Sequence, residues 1–179
     1  MVHEGVLGCA NCRDAFPVVG GLGDLRAPPR EPLGRGLAGE PGGAAEGEAA
    51  RLLGMLGVLG GPGTVALVGE PARVAADVAR ALPEIQVAAI DADLVRWPEG
   101  ERVSRLVTAP GLPFFGGTLR AVAIDGRLGP SWLAEAARVI AHRGRVVVTH
   151  APTDAGGALE NVGLHVIASD AESVVAARS

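Results

Sequence analysis

Short apolar runs of strand length alternate, over most of the chain, with stretches whose apolar residues recur at helical spacing. Thr64 to Val68 is the first such run; Val74, Val78 and Ala81 then fall on one helical face, and Gln86 to Ile90 is apolar again before Asp91. Two short strands separated by an amphipathic helix are most simply joined as a parallel crossover. Arg102 to Val107, Leu119 to Ile124 and Arg145 to Thr149 extend the pattern to five parallel strands with helices on both faces. The last carries Val146, Val147 and Val148 in succession, all expected to be buried because a central parallel strand is covered on both sides. Gly157 to Val162 predicts a short helix. Leu164 to Ala168 and Ser173 to Ala177, separated by Ser169 to Glu172, predict a terminal antiparallel hairpin. Ahead of the first strand, Ala49, Leu52, Leu53, Leu56 and Leu59 mark a helix over Gly47 to Gly60, interrupted by Gly54 and Gly57.

The beginning of the chain reads as a separate piece, giving a division into 1–26, a Pro/Gly-rich linker 27–46 and a large domain 47–179. Its first part places Cys9 and Cys12 in a Cys-x-x-Cys arrangement, followed by a strand candidate at Phe16 to Val19 and a Gly20-Gly21 turn. A segment this short cannot enclose a core. It must pack through Phe16, Val18 and Leu22 on its own large domain or on the same segment of a second chain.

Composition narrows the partners. With 48% hydrophobic and 20% charged residues over 179 positions, the chain suits one well-buried domain with a small appendage. A net charge of -4 argues against a surface that coats nucleic acid. All 16 basic residues are arginine, which together with abundant Ala, Gly and Val reads as nucleotide-composition bias. No apolar run approaches the ~18 residues of a membrane helix, and the start lacks the basic and apolar regions of a signal peptide, so the expected location is cytoplasmic.

The candidate chemistry collects at predicted strand ends. Gly69, Glu70, Asp91, Asp93 and Asp125 stand at or beyond the carboxyl ends of strands, where open α/β sheets place their ligands. His150, after the fifth strand, offers a base, although a histidine there also serves simply as a polar terminus. Neither a Ser-His-Asp arrangement nor a His-Glu-x-x-His zinc motif is present. No catalytic residue is assigned.

Thr64 to Asp93 resembles the first half of class I S-adenosylmethionine-dependent methyltransferases. In that family the first strand ends in an acid-x-Gly-x-Gly-x-Gly loop. Here Leu67 takes the acid's place, Gly69 matches the first glycine, Pro71 and Arg73 stand at the second and third, and Asp91 matches the ribose-binding acid. The segment Gly111 to Gly129 is similar to the family's Leu-Pro-Phe stretch and fourth strand, with Thr108 where an acid usually lies near the adenine. Ser131 to Pro152 resembles its helix, Gly turn and fifth strand. The resemblance implies a Rossmann-like, mainly parallel sheet with a C-terminal antiparallel hairpin, and S-adenosylmethionine held by Gly69 and Asp91. Where N-methylating members carry Asn/Asp-Pro-Pro-aromatic, this chain has Asp125-Gly126-Arg127.

Gly5 to Arg26 resembles the second half of the small zinc-ribbon proteins that activate tRNA and translation-factor methyltransferases, through Cys9, Cys12, Phe16, Pro17, Val18, Gly21 and Leu22. The resemblance implies a zinc-ribbon-like β arm. A structural zinc takes four ligands and Cys9 and Cys12 supply two, so a complete site needs His3 and a further group, or a second chain's own pair. A metal-free remnant is the other reading; a redox disulfide fits a cytosolic setting least. The expectation is thus a methyltransferase-like protein, degraded in catalysis and retained for binding or assembly with a protein partner, as a homodimer through the arm. The alternative is an active S-adenosylmethionine-dependent methyltransferase with an atypical loop.

Overall fold

The computed structural model describes residues 3–9, 13–30, 47–90 and 100–179. Among the described residues ten strands, numbered β1 to β10 in chain order, form one sheet in the order β1-β2-β3-β6-β5-β4-β7-β8-β10-β9. Its centre is the crossover unit expected from the apolar runs: β4 (Gly63–Val68) lies between β5 (Ile85–Ile90) and β7 (Leu119–Asp125), with β6 (Val103–Val107) and β8 (Ile140–Thr149) outside them, all parallel. β9 (His165–Ser169) and β10 (Ser173–Ala177) form the antiparallel hairpin, joined to the sheet through β10 and β8.

Alternation along each central strand divides the core. Val65, Leu67, Val87, Ala89, Ala121, Ala123 and Val147 point to one face; Ala66, Val68, Ala88, Ile90, Val122, Ile124, Val146 and Val148 point to the other. Helices α1 (Glu48–Leu56) and α2 (Ala75–Ala81) cover the first face; α3 (Pro130–Val139) and α4 (Ala155–Asn161) cover the second. Val146, Val147 and Val148 have no exposed surface, as expected of a strand covered on both sides.

Two helical details differ from the sequence pattern. Gly57 takes φ 63° and donates its N–H to the Leu53 carbonyl, so α1 stops at Leu56 and Leu59 is left 98% exposed instead of continuing the apolar face. After β4, the chain first makes a 3-10 turn over Glu70–Val74, which shifts the helix phase. Val74, Val78 and Leu82 are buried, whereas Ala81 faces solvent.

The N-terminal segment continues the same sheet. β1 (Gly5–Gly8) pairs antiparallel with β2 (Ala15–Val19), β2 turns through Gly20-Gly21 into β3 (Leu22–Asp24), and β3 pairs parallel with β6, Leu22 opposite Arg105. Val18 and Leu22 are buried and Phe16 is half-buried beneath the Arg30 guanidinium. A sixth strand thereby joins the parallel set. Most of the expected linker, 31–46, lies outside the described residues.

Candidate functional site

The chain runs outward from β4 through β5 to β6, then returns to place β7 on the other side of β4. The gap between the ends of β4 and β7 is therefore the switch point of the sheet, where doubly wound folds open a crevice for ligands. Gly69 and Glu70 follow β4 there; Asp125 ends β7.

Gly69 takes φ 73° and ψ −140°, a conformation that strains any residue with a Cβ. A Cβ at this position would lie 2.8 Å from Asp125 Cβ and 3.1 Å from Leu128 Cδ1. The glycine is thus required by the backbone and by contact with the chain itself. Pro71 is buried at the start of the 3-10 turn, where its missing N–H leaves no helical bond unmade. Arg73, at the place of the third glycine in the resembling loop, reaches α1: its Nε and Nη2 donate to Glu48 Oε1 at 2.9 and 2.7 Å, and its Nη1 lies 3.1 Å from Glu70 Oε1.

Asp125 is buried and held by Arg127. The Arg127 backbone N–H donates to Asp125 Oδ1 at 3.0 Å, its Nε donates to the same oxygen at 2.9 Å, and its Nη2 donates to Oδ2 at 2.6 Å. Burial pushes the Asp125 carboxyl up, but the Arg127 hydrogen bonds and the charges of Arg127 and His150 outweigh it and hold the group below its ordinary 3.8. Arg127 Nη2 also donates to Glu70 Oε2 at 3.2 Å, tying the β7 end to the β4 loop. His150, at φ 45° just past β8, brings its Nδ1 to 2.9 Å from Glu70 Oε2 and 3.7 Å from Asp125 Oδ1. Three strand ends thus converge on one acid-imidazole-guanidinium group. Glu70, Arg73 and His150 also line a cavity of about 440 Å³ whose far wall is Leu52 and Met55 of α1.

The other expected residues divide. Asp91, Asp93 and Cys12 lie outside the described residues; β5 ends at Ile90, opposite Val68, one position before Asp91. The Thr108 hydroxyl, just past β6, is buried without a hydrogen-bond partner among the described residues. Half-buried Cys9 closes the β1-β2 loop through backbone bonds, its N–H to Asp14 and its carbonyl from Arg13. His3 and Cys9 flank β1 at its two ends, and its four residues span roughly 10 Å at ~3.4 Å per residue. Taken singly, Glu70, Asp125, Arg127 and His150 are ordinary polar residues near strand ends in the sequence; the signal in common is that each lies within two positions of the end of a neighbouring parallel strand.

No family profile matches the sequence, and no curated protein matches it. Solved structures do. The geranyl diphosphate C-methyltransferase of Streptomyces coelicolor A3(2), solved with Mg2+, geranyl-S-thiolodiphosphate and S-adenosyl-L-homocysteine, superposes with a TM-score of 0.58 at 13% identity, covering 74% of this chain and 75% of that one. A precorrin-6y C5,15-methyltransferase from Geobacter metallireducens GS-15 gives 0.59 at 18% identity, over 77% of this chain and 94% of that one. A chain from a complex between the Haloferax volcanii Trm112 methyltransferase activator and a putative methyltransferase gives 0.52 at 17% identity, over 71% and 76%. The fold is that of class I S-adenosylmethionine-dependent methyltransferases: α/β, mainly parallel, with the C-terminal antiparallel hairpin. Among the described residues no helix is long and apolar enough to cross a membrane.

Proposed function

We propose that this chain is a methyltransferase-like protein whose cofactor crevice is closed by its own side chains, and that it acts as a structural or regulatory binding partner. The observation that carries the proposal is the packing of Asp125 and Leu128 onto Gly69, with Arg127 bridging Asp125 and Glu70 across the switch point. A ligand approaching the Gly69 backbone would have to displace both a buried carboxylate and its guanidinium. Arg73 adds to the closure by joining the loop to α1. The likeness to a methyltransferase found in a complex with an activator supports a protein partner. The arm supplies one surface for it, since the whole outer strand β1 is exposed. A second copy of the chain pairing there would also bring the two additional thiolates that a zinc at Cys9 and Cys12 requires.

A second reading, an active S-adenosylmethionine-dependent enzyme using Gly69 and Asp91, draws support from the buried Thr108 hydroxyl, which has no hydrogen-bond partner among the described residues, at the strand end where the resembling family binds adenine. Calorimetry separates the two. Titration of the full chain with S-adenosylmethionine and S-adenosylhomocysteine is expected to give no saturable heat up to ~1 mM; binding at micromolar affinity would instead raise stability by about 4 kcal/mol at that excess. Saturable binding that is lost in Asp91→Ala overturns the closed-crevice reading in favour of the enzyme.

A further inference from the structure

We propose that Glu70, Asp125 and His150 form a binding site for a first-row divalent transition-metal ion, with Arg127 as the cation that competes for it. The three donors come from the ends of three parallel strands, β4, β7 and β8, and their ligand atoms all lie within 4.8 Å of one another. The spacings of 2.9 Å (His150 Nδ1 to Glu70 Oε2) and 3.7 Å (His150 Nδ1 to Asp125 Oδ1) bracket the ~3 to 3.5 Å between neighbouring ligand atoms when metal-ligand bonds are ~2.0 to 2.2 Å. Two carboxylates and an imidazole form a donor set of intermediate hardness, which suits zinc, manganese or iron and leaves further coordination positions for water or a ligand.

The donor group is held in place before any metal arrives. Asp125 is fixed by the Arg127 backbone N–H on Oδ1, a bond that does not depend on the guanidinium. β8 delivers His150 beside Glu70, and both line the 440 Å³ cavity, through which an ion can reach them. Asp125 and Glu70 already hold a positive charge: Arg127 Nη2 lies 2.6 Å from Asp125 Oδ2 and 3.2 Å from Glu70 Oε2. The Arg127 side chain is 60% exposed, so it can swing into solvent when a divalent ion takes its place. Metal binding uses the lone pair of His150 Nδ1 and leaves the neutral ring's single proton on Nε2; a doubly protonated ring gives up one proton to solvent. The site does not rest on S-adenosylmethionine binding or on its absence.

The test uses the full chain carrying Cys9→Ser and Cys12→Ser, so that thiolates do not compete, stripped with chelator and titrated calorimetrically with Zn2+ and separately Mn2+ at neutral pH. Saturable binding of a single equivalent is expected. His150→Ala, a change at a half-exposed side chain, should weaken it by at least roughly tenfold, and Arg127→Met should strengthen it by removing the competing cation. Circular dichroism checks that each variant is folded. Absence of saturable binding in both the parent and Arg127→Met overturns the site, as does binding that His150→Ala leaves unchanged.

Discussion

Arg127 holds Asp125 from two directions at once, its backbone N–H on Oδ1 at 3.0 Å and its guanidinium on Oδ2 at 2.6 Å. The carboxylate is buried whereas the guanidinium is more than half exposed, so the two partners are unequal: loss of Arg127 strands a charge that cannot easily hydrate, while loss of Asp125 merely frees a surface cation. Arg127→Ala is expected to destabilise the chain by about 1 to 2 kcal/mol, read as a lower denaturant midpoint with unchanged slope. Asp125→Asn keeps a neutral acceptor and should cost less. If Arg127→Ala leaves the midpoint where it was, the guanidinium does not close the crevice.

The same pair sets an acid-side pH dependence. Because the Asp125 carboxyl is held below its ordinary 3.8, its contribution is fully present above the unfolded value and is lost as pH falls through the folded one. The stability gap between the parent chain and Asp125→Asn should therefore be constant from neutral pH down to about 5 and shrink below about 4. Denaturant titrations at a series of acid pH values measure it. Asp24 and Glu135, whose carboxyls are also held low by Arg26 and Arg138, are common to both proteins and cancel in the difference.

Gly69 distinguishes a glycine kept for the fold from one kept for a ligand. Its φ of 73° and the 2.8 Å approach that a Cβ would make to Asp125 predict that Gly69→Ala destabilises the ligand-free chain by about 1 to 3 kcal/mol. A glycine needed only for cofactor access would tolerate alanine without loss of stability. A melting temperature equal to that of the parent would reassign Gly69 to ligand approach.

The fold was legible because each central strand is short, apolar and bounded by turn residues, and because Val146 to Val148 has no amphipathic alternative. The phase of α2 was less legible. Pro71 starts a 3-10 turn, and the altered rotation exchanges Ala81 for Leu82 on the buried face. β1 and β3 carry no usable alternation, since Gly5-Val6-Leu7-Gly8 is exposed throughout and Leu22–Asp24 is only three residues long. For the site, Gly69 was visible as one surviving glycine of a loop. The bond from Arg127 back to Asp125, two positions earlier, is a local cap of the turn that follows β7, whereas the reach of Arg127 and His150 to Glu70, the latter across eighty positions of chain, is made by the strand order and by no local pattern.

The arm provides the last prediction. β3 closes the β6 edge of the sheet, but doing so transfers the open edge to β1, where Val6 is 68% exposed and, among the described residues, no strand pairs on the outer side. An open edge bearing apolar side chains and carrying neither charge nor proline is available to pair with another strand, and β1 is such an edge, four residues long. Light scattering of the full chain is expected to show a dimer. Val6→Lys, which places charge on the edge without touching the buried Val18 and Leu22, should shift it to monomer. A monomeric parent disproves pairing through the arm, and a dimer that survives Val6→Lys puts the contact on another surface. Cys9→Ser, with metal analysis alongside, then separates backbone pairing from a zinc shared between two chains: a dimer that persists without metal is held by the strand edge itself.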